Sequence, residues 1–112
     1  GKSKLNFWTK NEIFFLIVLN MAAALILDKK WDEALKECDK VLEIQESNVK
    51  ALFRRGQCYL GKRDYDLALE DFNQAKTLAP SDKGILNEIA KVKKAKLEYA
   101  QKEKKMFSKM FQ

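Results

Sequence analysis

Apolar residues in this chain fall in blocks separated by short polar turns, and each block has the length of a helix. The first runs from Ile13 to Leu27 and is apolar apart from Asn20. Thr9-Lys10-Asn11-Glu12 precedes it and fits a capping box, so the helix is expected to start near Lys10. At 15 residues the apolar stretch is short for a membrane span, and a buried helix is expected instead. Asp28-Lys29-Lys30 reads as a turn, and a second helix covers about Trp31–Ile44. Ser47-Asn48 offers an N-cap for a third helix, about Val49–Leu60, which Gly61 is expected to end with a positive φ. Asp64 reads as the cap of a fourth helix, about Tyr65–Leu78. Pro80 and Ser81-Asp82 interrupt the chain, and a last helix runs from about Lys83 to Lys109. The expected fold class is all-α.

The blocks repeat. Residues 15–48 and 49–82 align at an offset of 34: Ala22 with Gly56, Trp31 with Tyr65, Asp32 with Asp66, Ala34 with Ala68, Leu35 with Leu69, Ile44 with Leu78 and Ser47 with Ser81. A fixed period of this length marks stacked helix–turn–helix units, which usually form binding surfaces. Small residues at Ala22, Ala34, Gly56, Ala68 and Ala75 are where helices are expected to cross, because a large side chain there would hold them beyond about 8–10 Å. Trp31, Tyr65, Leu25, Tyr59 and Phe72 fill the space around them. The first copy is looser: Val41 stands opposite Ala75, Glu46 opposite Pro80 and Cys38 opposite Phe72.

Charge and cysteine narrow the function. The net charge is +6, and residues 91–112 alone hold eight Lys against two Glu, so the repeat body is neutral. A nucleic-acid surface on the body is therefore not expected. Cys38 and Cys58 fall at apolar helix positions and read as buried, reduced thiols. With no His and no paired cysteines at metal-binding spacing, neither a metal nor a cofactor is expected. Nor is there a nucleophile–base pair or a Gly-rich phosphate loop, so this segment is not read as an enzyme.

Lys50 and Arg54 lie four apart, on one face of the third helix. Two cations at this spacing repel by a few tenths of a kcal/mol, and a bound anion reverses the sign. Asn20 precedes Arg54 by one period and shares its position in the helix pair. A lone Asn in an apolar run is either a buried amide or a groove-lining donor.

The period, the Gly/Ala sites and the late Pro resemble the tetratricopeptide repeat over about residues 10–112. That resemblance implies an antiparallel solenoid with repeats at 15–48 and 49–82 and a long C-terminal capping helix at 83–112. Residues 1–9 then form a linker or a remnant of a preceding repeat. Lys50-Ala51-Leu52-Phe53-Arg54-Arg55-Gly56 and Leu19-Asn20-Met21-Ala22-Ala23 look like the third and second repeats of co-chaperones that bind the C-terminal tail of heat-shock protein 90. By that likeness Asn20, Lys50 and Arg54 belong to a carboxylate clamp for a Glu-Glu-Val-Asp ending, and Phe53 and Gln57 line the same groove. The 70-kDa heat-shock protein shares that ending and is an alternative partner. Arg55, turned away from Arg54, reads as structural. The family's first repeat supplies a Lys and an Asn that residues 1–12 do not match. The chain therefore looks like one that begins after or within that repeat, with weakened peptide binding and a sticky apolar face near Phe14, Phe15 and Val18.

The ending Glu103-Lys104-Lys105-Met106-Phe107-Ser108-Lys109-Met110-Phe111 resembles the tail of the large immunophilins, peptidyl-prolyl isomerases of the cyclophilin or macrolide-binding type. The resemblance implies a co-chaperone module of such an isomerase, with the catalytic domain elsewhere and a cytoplasmic, or also nuclear, location. Calmodulin binding at the basic C-terminal helix comes with the same likeness. The other reading of the body is a scaffold that packs against a folded protein without a clamp.

Overall fold

A computed structural model describes residues 8–112. Five helices follow one another: α1 (Lys10–Leu27), α2 (Trp31–Ile44), α3 (Val49–Gly61), α4 (Tyr65–Leu78) and α5 (Lys83–Met110). The structure has no strand among the described residues. α1 packs on α2 and α3, while α3 packs on α4 and α5. The helix pairs thus stack as an antiparallel tetratricopeptide solenoid, and α5 closes its C-terminal end.

Two apolar clusters hold the stack. Val18, Leu19, Val41 and Ala51 join α1, α2 and α3. Leu52, Ala68, Phe72, Ala75, Ile85, Ile89 and Val92 join α3, α4 and α5. The small residues sit at close crossings: Ala22, Ala34, Ala68 and Ala75 are fully buried, and a Cβ added at Gly56 would lie 2.6 Å from the Phe72 ring.

The helix starts are set by local chemistry. Thr9 Oγ1 accepts from the Glu12 amide at 3.0 Å, and the Glu12 carboxylate accepts from the Thr9 amide at 3.2 Å, a complete capping box. Asn48 Oδ1 accepts from the Ala51 amide at 2.9 Å, and Asp82 Oδ1 accepts from Gly84 and Ile85. Asp64 corrects an expectation. It occupies the N-cap position of α4 but its side chain caps nothing, because its backbone (φ −88°, ψ 74°) lies off the extended region that aims a cap side chain at the helix.

Gly61 is a second correction. It is the last residue of α3, and no glycine in the described chain has a positive φ. The left-handed residues are Lys29 (φ 58°) and Arg63 (φ 65°), one period apart. Each closes its helix with the same bond pair: Lys30 to Leu25 and Lys29 to Ile26 in the first unit, Asp64 to Tyr59 and Arg63 to Leu60 in the second. Gly61 is small for a different reason: a Cβ there would come within 2.4 Å of the Trp31 indole. Surface ion pairs repeat too, Lys62 with Asp32 and Lys96 with Asp66.

α1 is only partly the buried helix its sequence predicts. Val18, Leu19 and Ala22 are buried, whereas Ile13, Phe14, Leu16, Ile17 and Met21 remain exposed. By length and composition α1 is also apolar enough to cross a membrane. The expected sticky face therefore lies elsewhere than predicted: Phe14 is on it, Phe15 is half-buried, and Val18 is packed in the core.

Candidate functional site

The face of α3 that carries Lys50, Phe53, Arg54 and Gln57 follows helical spacing, and the core decides which way it points. Ala51, Leu52, Gly56 and Cys58 are drawn inward, which leaves Lys50 exposed and Phe53, Arg54 and Gln57 half-buried. Phe53 is held by the Phe72 ring, centroid to centroid 5.8 Å.

Two hollows flank this face. One, about 370 Å³, is lined by Val49, Lys50, Phe53, Arg54, Asp82 and Ile85. The other, about 320 Å³, includes Phe15, Leu16, Leu19, Asn48 and Lys50 in its wall. The two hollows are equivalent positions of successive repeats. Phe15, Leu16, Leu19 and Asn48 correspond at the 34-residue offset to Val49, Lys50, Phe53 and Asp82. Lys50 lies in both, so the two run together along the faces of α1 and α3 as a groove.

The structure brings Lys50, Phe53 and Arg54 into one hollow. Asn20 lines neither hollow but is exposed, which removes the buried-amide alternative, and its neighbour Leu19 packs in the cluster with Ala51. Gln57 lies one turn beyond Arg54, outside the hollow's wall. The Gln57 Oε1 and the Arg54 Nε are buried without a hydrogen-bond partner among the described residues. Val49, Asp82 and Ile85 belong to the wall and are absent from the sequence-based set. Asp82 reads in the sequence as a helix restart, and its correspondence with Asn48 is the signal that it shares the groove.

The neighbouring cation, Arg55, is held by its own chain. Arg55 Nε and Nη2 each donate to Asp71 at 2.8 Å, and Nη1 donates to Asp39 at 3.0 Å. Its guanidinium also lies 5.9 Å from the Tyr59 ring centroid. The bonds to Asp71 first, then Asp39, hold its pKa above the ordinary arginine value despite partial burial. Arg55 thus ties α2, α3 and α4 together and is structural, as its position predicts. Among the described residues, Lys50 and Arg54 form no ion pair.

Cys38 and Cys58 are both free and fully buried. A hydrogen bond to Cys58, aided by burial, pushes the Cys38 thiol far above its usual range. Such a thiol is a core residue, not a nucleophile. No group of three or more His, Cys, Asp or Glu among the described residues is placed to hold a metal.

Comparison with known proteins agrees with this architecture. The family model described as tetratricopeptide repeat matches residues 49–82. Peptidyl-prolyl cis-trans isomerase FKBP42 of Arabidopsis thaliana is 41% identical over 93 residues, which is 83% of this chain and 26% of that protein. The C-terminal tetratricopeptide domain of a Plasmodium falciparum FK506-binding protein superposes with a TM-score of 0.74 at 30% identity, over 83% of this chain and 61% of that one. The first tetratricopeptide domain of Spaghetti (RPAP3), solved with the heat-shock protein 90 peptide SRMEEVD, gives 0.69 at 26% identity, over 72% of this chain and 64% of that one. The chain spans between 18% and 26% of the length of the first curated relatives it matches.

Proposed function

We propose that this chain, which belongs to the tetratricopeptide-repeat proteins and is related there to the FK506-binding immunophilins, docks the acidic C-terminal tail of heat-shock protein 90. Lys50 and Arg54 hold the terminal carboxylates, Asn20 donates from the neighbouring helix, and Phe53 and Gln57 flank the peptide. One observation carries the reading: two cations share a hollow and neither forms an ion pair among the described residues. A terminal carboxylate accepts several charge-assisted hydrogen bonds, each worth about 1.5–3 kcal/mol. The buried, unpartnered Arg54 Nε also gains from any acceptor brought into the groove. The Spaghetti domain binds a tail of this ending, and the second domain of human RPAP3 was solved with a heat-shock protein 70 peptide ending in the same four residues. The 70-kDa chaperone is therefore the alternative ligand of the same site.

Calorimetric titration tests the reading. The free-acid peptide SRMEEVD should bind, and its C-terminal amide should lose most of the affinity. Lys50→Ala or Arg54→Ala should each weaken binding at least about tenfold, and raised salt should weaken it further. Equal binding of acid and amide refutes the clamp and favours the scaffold reading.

The isomerase activity in the relatives' names stays with those proteins. If the longer protein carries it, the catalytic domain lies outside these residues, and a cytoplasmic, or also nuclear, location is part of the same proposal. A second site is favoured by α5, whose end exposes Met106, Phe107, Met110 and Phe111 among lysines. A basic helix with such a stripe suits calmodulin. A calcium-dependent shift on titrating calmodulin, lost on deleting residues 101–112, tests it.

A further inference from the structure

We infer that Asp82 is a charge-selecting residue of the groove: it disfavours a ligand with an acidic side chain next to its terminal residue. This rests on the clamp reading. Asp82 lines the same hollow as Lys50 and Arg54, so the hollow has cations on one wall and an anion on another. The carboxylate of Asp82 accepts from the Gly84 amide at 2.9 Å and the Ile85 amide at 3.3 Å. The positive end of α5, which would otherwise attract an anion, already holds one from its own chain. A ligand carboxylate is thereby directed to Lys50 and Arg54. The rest of the wall is Val49, Phe53 and Ile85. With the terminal carboxylate held by Lys50 and Arg54 as the clamp reading has it, a side chain leaving the residue before it would lie against this apolar surface beside Asp82. A neutral one fits there, and an acidic one is repelled. Building repulsion against the wrong ligand is a common source of specificity.

The repeat supplies its own control. Asn48 occupies the corresponding position one period earlier, and its Oδ1 accepts from the Ala51 amide at 2.9 Å. A neutral amide therefore caps the equivalent helix, and Asp82→Asn should remove the charge while keeping the cap. Asp82→Ser, another good cap, is the second variant.

The experiment titrates two free-acid heptapeptides, SRMEEQD and SRMEEED, which differ by one charge at the penultimate position and hardly in shape. The wild-type chain should prefer the Gln peptide by about three- to fivefold at low salt. Both variants should bring that ratio close to one and bind SRMEEVD about twofold more tightly. An unchanged ratio in both variants, with binding retained, overturns the role of Asp82 alone. If the wild-type chain binds SRMEEVD no better than its amide, the clamp reading falls and this inference falls with it.

Discussion

At Lys29 and Arg63 the backbone turns left-handed with a side chain attached, a conformation that costs an L-residue about 1–2 kcal/mol. Arg63 is exposed and forms no ion pair among the described residues. Arg63→Gly should therefore raise the stability by about 0.5–1 kcal/mol, net of the added freedom of the unfolded chain. Gly61→Ala should do the opposite. Its φ would suit alanine, but the new methyl would overlap the Trp31 ring, a strain of about 1–3 kcal/mol. Urea unfolding of the two variants separates them by sign. A loss of stability in Arg63→Gly, or none in Gly61→Ala, would refute these two assignments. The same pair shows where sequence reasoning stops. The presence of a turn after α3 is readable from Gly61, Lys62 and Asp64, but its special residue is an arginine that no propensity rule marks. The contact with Trp31 spans 30 positions and exists only once the helices pack.

Among the elements, α5 is two structures in one helix. Its first turns are part of the core through Ile85, Ile89 and Val92, and Tyr99 meets Tyr65 edge to face at 6.3 Å. Beyond Tyr99 every residue is exposed. Deleting residues 101–112 should thus leave the chain's thermal transition within experimental error, while ending the helix at Lys91 should unfold α4 and α5 together. Circular dichroism melts of the two truncations check this. A large loss from the shorter deletion would mean that the tail folds back on the body. The boundary was partly readable in the sequence, since charge separates at residue 91, with a neutral body before it and eight lysines after. Charge does not show that Val92 is still core, because the apolar spacing runs through the change without a break. α3 is more legible in the sequence, for a physical reason. Its inward positions are small or apolar and its outward ones basic, so one face could be assigned before any packing was known. What spacing left out was the far wall of the groove: Asp82 and Ile85 come from another helix, 28 and 31 positions beyond Arg54.

On the scale of the molecule the two ends of the stack differ. Repeat solenoids need a polar outer face at each end to remain soluble. α5 covers the C-terminal end of the core, and its exposed lysines are interleaved with exposed Met106, Phe107, Met110 and Phe111. Among the described residues α1 instead presents an apolar face: Ile13, Leu16, Ile17 and Met21 are about half exposed, Ile17 most of the four at 58%. Each exposed aliphatic side chain that finds cover gains about 1.5–3 kcal/mol when fully buried, so two copies meeting through α1 gain enough to associate at high concentration. Sedimentation should show a mass that rises with concentration, and Ile17→Lys should restore the monomer. Because Ile17 does not line either hollow, the same variant should keep its affinity for SRMEEVD. A wild-type chain that stays monomeric at high concentration would show that the open face of α1 is too small or too curved to pair with itself. A variant that loses peptide affinity together with association would instead place the groove and the open face in one surface, with α1 serving both.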